Sequence, residues 1–178
     1  MTVPPPAAGR VLFAGDLVDT EATEALGRRL AGLLRAGDLL VLTGPLGAGK
    51  TTLTRGLGAG LQVRGQVASP TFVLARTHPT ASGVPLVHVD AYRLGGADEL
   101  DDLDLDYEGS VVVVEWGAGL LDGVAESWLD VVIERPTGAG PVEDDLDERD
   151  PDDVPDEPRR LTVTAHGPRW EGARLTTG

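Results

Sequence analysis

The sequence predicts an α/β domain with a mostly parallel central sheet, flanking helices and late antiparallel strands. Three observations favour this fold class. An apolar run of strand length at 39–43 leads directly into a glycine-rich loop and a helix-like run, which is the context of a phosphate-binding loop. Strand-like and helix-like runs alternate early in the chain, as is typical of a parallel sheet. A succession of strand-like runs then follows.

The first predicted elements lead into the loop. Residues 11–13 form a short apolar run that we interpret as an edge strand. A helix is expected to begin at Asp19 or Thr20, because both are good N-cap residues, and to end at Gly37 as its C-cap. The apolar face of this helix has residues that recur at helical spacing, namely Ala22, Leu26, Leu30, Leu33 and Leu34. The strand at 39–43 follows the helix.

The loop matches the phosphate-binding pattern G-x-x-x-x-G-K-[ST], with Gly44 at its start and Gly49, Lys50 and Thr51 at its end. Glycines there, including Gly47, allow a tight turn that brings backbone N–H groups to phosphate oxygens. Lys50 is placed to reach the β- and γ-phosphates and the Thr51 hydroxyl to reach a magnesium ion. Lys50 is also the one lysine among 15 basic residues. We therefore predict a P-loop NTPase-like fold.

Further elements follow the loop. The glycines at 58, 60 and 65 mark a break after the loop helix. Residues 78–85 are turn-rich and predict a loop or hairpin, and residues 97–105 predict a short acidic helix with Leu100 and Leu103 facing the core. Apolar or β-branched runs predict the strands, which are expected at the end of 67–76 and at 85–89, 111–114, 129–133 and 160–165.

Length and composition suit one domain. The chain has 178 residues, of which 41% are hydrophobic. Residues 1–9 are rich in proline and alanine and lack the features of a signal peptide, so we expect a disordered lead before a single domain spanning 10–178. The absence of cysteine excludes disulfides and thiolate metal sites. No apolar run of 18 residues exists, and we predict a cytoplasmic protein without membrane contact.

The net charge of −14 is unevenly distributed. Residues 143–157 contain ten acidic residues and one arginine, a local charge of −9, which leaves −5 for the remainder. The acidic, proline-rich segment at 137–158 is therefore predicted to be a disordered loop between two strands of one sheet. Since no basic stripe is present, we expect any RNA in the biology of this protein to be held by a partner.

Two acidic residues stand at strand ends, Asp90 after the run at 85–89 and Glu115 after the run at 111–114. Magnesium prefers hard oxygen ligands, and phosphate-loop proteins place an acid near the metal. We expect at least one of the two to act on magnesium or on the attacking water. The spacing does not decide which of them does which.

Other candidates have two interpretations. Thr71, in a Ser-Pro-Thr turn, either senses the γ-phosphate or only caps a strand, and spacing favours the cap. Trp116 is either a core aromatic or a base-stacking or contact surface. Tyr92 and Arg93 either stabilise phosphate charge or pair with an acid on the surface. The histidines lack metal-ligand spacing and are interpreted as structural or solvated: His78, His88 and His166.

Four blocks together resemble a known family. Residues 44–55, 69–72, 88–94 and 115–116 are similar in order and spacing to the TsaE family, the ATPase of bacterial tRNA threonylcarbamoyladenosine (t6A) biosynthesis. The resemblance covers roughly residues 20–116 well and the remainder loosely. It is more specific than the phosphate loop alone.

The resemblance implies an activity and partners. The family supports the t6A modification of adenosine 37 in tRNAs that read codons beginning with A. The transfer itself is carried out by TsaD, paired with TsaB. The resemblance implies that the ATPase binds this pair and hydrolyses ATP with magnesium to reset the complex, so that tRNA is contacted only indirectly.

The resemblance also implies roles for individual residues. Thr51 and Glu115 correspond to magnesium ligands, and Asp90 and Trp116 belong to the family signature. The stretch at 20–23, beginning with Thr20, would lie near the adenine, and a late arginine falls near Arg159 or Arg160. The phosphates would be wrapped by Gly47, Ala48, Gly49, Lys50, Thr51 and Thr52.

Two alternatives from other functional classes share the phosphate loop. A small-molecule kinase would need an arginine-bearing lid; Arg93 is available, but no arginine-rich lid segment is apparent. A nucleotide-gated assembly factor would use ATP binding rather than turnover. In the ATPase interpretation, catalysis is assigned to Lys50, Asp90 and Glu115, which neutralise charge and place water and metal.

Overall fold

A computed structural model describes residues 9–45, 47–65, 67, 74–92, 94, 96–117, 121, 124–135 and 158–175. The strands in this part of the chain are β1 (Arg10–Leu17), β2 (Leu39–Thr43), β3 (Ala75–His78), β4 (Leu86–Asp90), β5 (Val111–Glu115), β6 (Trp128–Glu134) and β7 (Arg159–His166). The helices are α1 (Thr20–Ala31), α2 (Lys50–Gly60), α3 (Ala97–Asp101) and a 3-10 helix, Pro168–Trp170.

The strands form one sheet in the order β1-β7-β6-β2-β5-β4-β3. Its centre, β6-β2-β5-β4, is parallel, and antiparallel strands join at both sides. The predicted α/β class with a parallel centre and late antiparallel strands is confirmed. Because β2, β4 and β5 run in the same direction, their carboxyl ends meet at one edge, where the phosphate loop begins.

Each face of the sheet has its own apolar core. On one face α1 and α2 pack against the sheet through buried leucines, and on the other face α3 contributes Leu100. The two large helices approach each other closely at glycines: a Cβ on Gly27 would meet the Leu53 carbonyl oxygen, and a Cβ on Gly56 would meet the Glu24 carbonyl oxygen. This contact fixes α2, and with it the loop, against α1.

The predicted start of α1 is correct, but its predicted end is wrong. Asp19 is the N-cap, and its side chain accepts a hydrogen bond from the Ala22 N–H at 2.8 Å. The helix ends at Ala31 with Gly32 as C-cap, whereas Gly37 lies in the turn before β2 and donates its N–H to the Ser110 carbonyl at 2.9 Å. The apolar spacing continues beyond the helix because tighter turns keep the next two leucines against the same core.

The prediction that Gly58 and Gly60 mark a break after the loop helix is wrong, because both lie inside α2. They serve close packing instead: a Cβ on Gly58 would meet the Val67 side chain, and one on Gly60 would meet Ala31.

The other elements agree with the predictions in kind. β3 and β4 form the predicted hairpin, and α3 ends at Asp101, four residues before the predicted end. Leu103 nevertheless packs against the same core as Leu100.

Parts of the prediction lie outside the described residues. They include the turn at 69–71 and nearly all of the acidic segment at 137–158. The strands on either side of that segment, β6 and β7, lie in one sheet, as predicted, and the structure shows that they are antiparallel neighbours. In the described part of the chain, no helix is long and apolar enough to cross a membrane.

Candidate functional site

The phosphate loop connects the end of β2 to the start of α2. Gly47 and Gly49 have φ angles of 74° and 105°, in the region that glycine adopts more readily than other residues. Gly49 is the N-cap of α2 and supplies no capping side chain, so the first N–H groups of the helix remain available to an anion. Among the residues that the structure describes, apart from its chain neighbours, a Cβ on Gly47 would meet nothing within 4 Å, so these residues leave this side of the loop open.

Lys50 is buried inside the loop. Its Nζ donates hydrogen bonds to the carbonyl oxygens of Gly44 at 2.7 Å and Pro45 at 3.0 Å. It also lies 4.4 Å from the centroid of the Trp116 ring. Burial lowers the pKa of Lys50, while the nearby carboxylates of Glu115 and Asp90 act in the opposite direction. The lysine is therefore a positive charge held at the loop with two acids nearby.

The two strand-end acids meet beside this lysine. The parallel register of β4 and β5 pairs Asp90 with Glu115, so both side chains lie on the same face at the same edge. Glu115 is buried at 4% exposure, whereas Asp90 is partly exposed and accepts a hydrogen bond from the Tyr92 N–H at 3.0 Å. The two acids therefore have different environments: Glu115 is buried, and Asp90 is partly exposed and bonded to the backbone two residues later.

His88 joins the site although its spacing gave it no functional role. Its Nε2 lies 3.3 Å from Oε2 of Glu115, and its side chain is fully buried. Residues two apart in a strand share a face, so His88 lies on the same side of β4 as Asp90. That period-two relation was the available signal in the sequence.

Trp116 lies at the rim of the site and is only partly buried. Its φ angle of 61° turns the chain out of β5, and its N–H donates to the Leu42 carbonyl at 3.0 Å. Its ring lies 5.3 Å from the ring of the exposed Tyr92. Of the two interpretations of Trp116, contact surface and core aromatic, this position favours the contact surface.

Arg159, from the first position of β7, also reaches the phosphate loop. Its Nη2 donates to the Gly47 carbonyl at 3.1 Å across a sequence separation of 112 residues, and the residue is 3% exposed. Arg160 instead contacts Asp16 at 3.4 Å on the surface. Of the two late arginines, Arg159 is therefore the one for which the structure shows a contact with the phosphate loop.

The remaining predicted residues line the loop or lie outside the described part. Ala48 and Thr52 are buried, and Thr51 is partly exposed. Thr20 begins α1, and the methyl carbon of Thr23 would lie 3.9 Å from a Cβ on Gly49, so this end of α1 borders the loop. Thr71 and Arg93 lie outside the described residues.

The donor set fits magnesium bound together with a phosphate. Within the described ranges, no group of three or more metal-binding His, Asp or Glu side chains occurs. Thr51 and Glu115 offer one hydroxyl and one carboxylate, both hard oxygen ligands. Magnesium is commonly held by one or two such groups plus phosphate oxygens and water. Thr51 and Glu115 therefore suit a metal that arrives with a nucleotide.

Comparison with known proteins gives a consistent result. Residues 17–140 match the family described as "Threonylcarbamoyl adenosine biosynthesis protein TsaE". The chain is 57% identical over 155 residues to the tRNA threonylcarbamoyladenosine biosynthesis protein TsaE of Streptomyces coelicolor, which covers 85% of this chain and 95% of the relative. It is 36% identical over 157 residues to the protein of the same name from Bacillus subtilis, which covers 86% of each.

A solved structure shares the fold. The crystal structure of Bacillus subtilis YdiB matches with a TM-score of 0.63 and 30% sequence identity, covering 92% of this chain and 91% of that chain. The agreement extends over nearly the whole of both chains and supports the P-loop NTPase-like architecture derived from the loop and the sheet.

Proposed function

The chain belongs to the TsaE family, and from that premise we propose that it acts in tRNA threonylcarbamoyladenosine biosynthesis as a magnesium-dependent ATPase. The observation that carries the proposal is the cluster at the carboxyl edge of the sheet. There, the buried Lys50 lies inside the phosphate loop, and the acids Asp90 and Glu115 meet beside it. A structural glycine turn would require neither the buried cation nor the paired acids.

The loop and α2 bind the phosphates of ATP in this proposal. The uncapped N-terminus of α2 presents backbone N–H groups to them, and Lys50 moves its hydrogen bonds from the loop carbonyls to phosphate oxygens, which are stronger acceptors. Thr51 and Glu115 would hold magnesium, which would supply positive charge against the charge that develops on the phosphates. Arg159 keeps the loop in place through the Gly47 carbonyl.

Hydrolysis requires a water in line with the bond that breaks. Asp90 is the partly exposed acid of the pair, and its carboxylate is held by the Tyr92 N–H. We assign Glu115 to the metal because it is the buried acid and acts more strongly than Asp90 on Lys50. We assign Asp90 to orienting the attacking water because it is partly exposed to solvent. The water's oxygen then bonds to the γ-phosphorus as the bond between this phosphorus and the oxygen that bridges to ADP breaks. The proton of the water passes to the inorganic phosphate that forms, and ADP leaves with the bridging oxygen.

Family membership and the charge of the chain support a proposal about its partners. We propose that the chain acts with the TsaD–TsaB pair and contacts tRNA only through it. Outside the acidic segment the chain carries a net charge of −5, which does not attract a phosphate backbone. ATP turnover would then serve to reset that complex between rounds of modification.

Measurement of ATP binding and of the fate of the γ-phosphate tests the activity. We expect the purified chain to bind ATP with magnesium and release inorganic phosphate, and Lys50→Ala to reduce turnover at least about 100-fold. Arg28→Ala is a matched control, since it removes a cation from a surface pair with Glu24 on α1. Transfer of the γ-phosphate to a small acceptor would indicate a kinase instead. Binding without turnover, with modification intact, would indicate an assembly factor.

A further inference from the structure

We propose that His88 is a positioning residue that holds the Glu115 carboxylate in place for magnesium. The inference rests on the proposed function, in which Glu115 is a magnesium ligand. It adds the residue behind that ligand and names the contact, between Nε2 of His88 and Oε2 of Glu115. Residues that orient metal ligands from behind commonly affect metal affinity as well as activity.

The burial of His88 is the first observation that needs explanation. The residue lies in the middle of β4 with 0% exposure, between the apolar residues Val87 and Val89. Neither of its ring nitrogens has a hydrogen-bond partner among the described residues. Leaving buried polar nitrogens unbonded is unfavourable, so an apolar side chain would serve the core better unless the imidazole has another task.

The register of the sheet places the imidazole where it can contact the Glu115 carboxylate. β4 and β5 are parallel, with His88 opposite Val113 and Asp90 opposite Glu115, so the imidazole lies diagonally behind the Glu115 side chain. The separation of 3.3 Å between Nε2 and Oε2 is slightly longer than a formed N–H···O hydrogen bond. In our proposal the two groups form this hydrogen bond when Glu115 takes up its metal-binding orientation, and the bond then fixes Oε2.

His88 acts on Glu115 differently from Lys50. The attraction between Lys50 and Glu115 is a charge interaction, which has little directional preference. An N–H donor on a ring fixed in a strand selects one carboxylate orientation. The contact requires only that Nε2 carries a hydrogen, which is available in the neutral as well as the charged imidazole.

A second histidine–carboxylate contact offers a matched control. His166 Nε2 lies 3.0 Å from Asp130 Oδ2, and the His166 ring stacks on Trp128 at 4.6 Å. Trp128 begins β6, which is parallel to β2, so this pair lies at the sheet edge opposite the phosphate loop. Removing it tests the effect of losing such a pair without touching the proposed metal site.

The test measures metal affinity of the full chain rather than turnover. Formation of the ternary complex with Mn²⁺ and a non-hydrolysable ATP analogue is followed by water proton relaxation, and analogue binding is measured separately in EDTA. We expect His88→Leu to weaken Mn²⁺ binding about 10-fold or more and His88→Gln, which keeps an N–H donor, to weaken it less. Binding in EDTA should be unchanged in both variants, and His166→Gln should match the wild type in both measurements.

A double-mutant cycle separates this inference from the proposed function. If Glu115 is the ligand, Glu115→Ala weakens Mn²⁺ binding, and adding His88→Leu to it causes little further loss. If Glu115→Ala weakens Mn²⁺ binding and His88→Leu does not, the role of His88 is rejected and the proposed function stands. If Glu115→Ala leaves Mn²⁺ affinity unchanged, the assignment of Glu115 as a ligand is rejected. Equal losses for His88→Leu and His88→Gln would also contradict positioning, and His88→Phe replaces His88→Leu if that variant does not fold.

Discussion

The buried charge of Lys50 does little to stabilise the folded protein. Burial lowers its pKa, which means that the folded state disfavours the charged form. We therefore predict that Lys50→Met keeps or raises the melting temperature of the free protein and abolishes the further rise that ATP and magnesium produce by binding the folded state. Thermal unfolding with and without ATP checks this. A variant that loses stability but keeps the ATP-dependent rise would contradict the role assigned to Lys50.

His78 should make the fold sensitive to acid. Burial lowers its pKa from the usual 6.5, and the neighbouring His88 and Arg76 add to the effect. Between 6.5 and that lowered value, the unfolded chain binds a proton that the folded chain does not, so stability falls as pH falls through this window. His78→Gln should flatten this slope of the unfolding free energy, measured by urea titration at several pH values.

Arg76→Gln gives an independent check on that prediction. Arg76 is exposed on β3, and its positive charge is one of the causes of the lowered pKa. Its removal should shift the titration of His78, followed by NMR, toward the usual value. If the slope of the unfolding free energy against pH is the same in the wild type and in His78→Gln, His78 does not cause the acid sensitivity.

At the residue scale, the sequence predicted those members of the site that follow local rules. Asp90 and Glu115 were found because each ends an apolar strand, and Lys50 because it belongs to a motif. Arg159 was one of two candidates and His88 was given no functional role, because tertiary structure sets their partners. Arg159 meets Gly47 across 112 residues, and His88 meets Glu115 only after β4 and β5 pair.

At the scale of elements, the contact between α1 and α2 depends on glycine. A Cβ on Gly27 would lie 2.8 Å from the Leu57 nitrogen and collide with the Leu53 carbonyl. Alanine is the better helix former by about 1 kcal/mol, but overpacking costs about 1–3 kcal/mol. We predict that Gly27→Ala lowers the free energy of unfolding and loosens ATP binding, since α2 carries the loop.

Gly32→Ala is the matched control for that prediction. Gly32 caps the same helix with φ −64° and ψ −18°, and a Cβ there would lie 3.4 Å from the Arg29 carbonyl oxygen. Alanine fits this conformation and should change stability by about +0.4 to +1 kcal/mol. Denaturant unfolding compares the two variants. Equal stability of both would show that the helices do not need the close approach.

The same element shows where sequence patterns lose information. The helical spacing of apolar residues continues through Leu34 while the helix itself ends at Ala31. A glycine later in the chain was a plausible cap, but Gly32 ends the helix and Gly37 turns into β2. The spacing of apolar residues indicates which side chains face the core. It does not indicate where the helix ends, because that depends on the local backbone conformation.

At the scale of the whole molecule, the acidic segment is predicted to be dispensable for ATP binding. Glu134 pairs with Arg160 across β6 and β7, so deletion of residues 138–157 leaves a short connection between adjacent antiparallel strands and retains Arg159. The deletion changes the net charge from −14 to −5. We expect unchanged ATP affinity by calorimetry. Loss of ATP binding in a folded deletion variant would overturn this prediction.

The parallel centre of the sheet explains why the site assembles. β2, β4 and β5 deliver the loop, Asp90 and Glu115 to one edge, and β7 brings Arg159 to the loop from the antiparallel side. The alternation of strands and helices predicted this centre. The order of the outer strands depends on long-range pairing, which the runs along the sequence did not specify.

Phosphate release from ATP shows whether the chain is an ATPase that responds to the TsaD–TsaB pair. It is measured for the purified chain alone and with the TsaD–TsaB pair, each beside the Lys50→Ala variant. We predict slow release by the chain alone, faster release with the pair, and none above background in the variant. Release that is the same with and without the pair would contradict the proposed partnership, and release that persists in Lys50→Ala would contradict the phosphate-loop site itself.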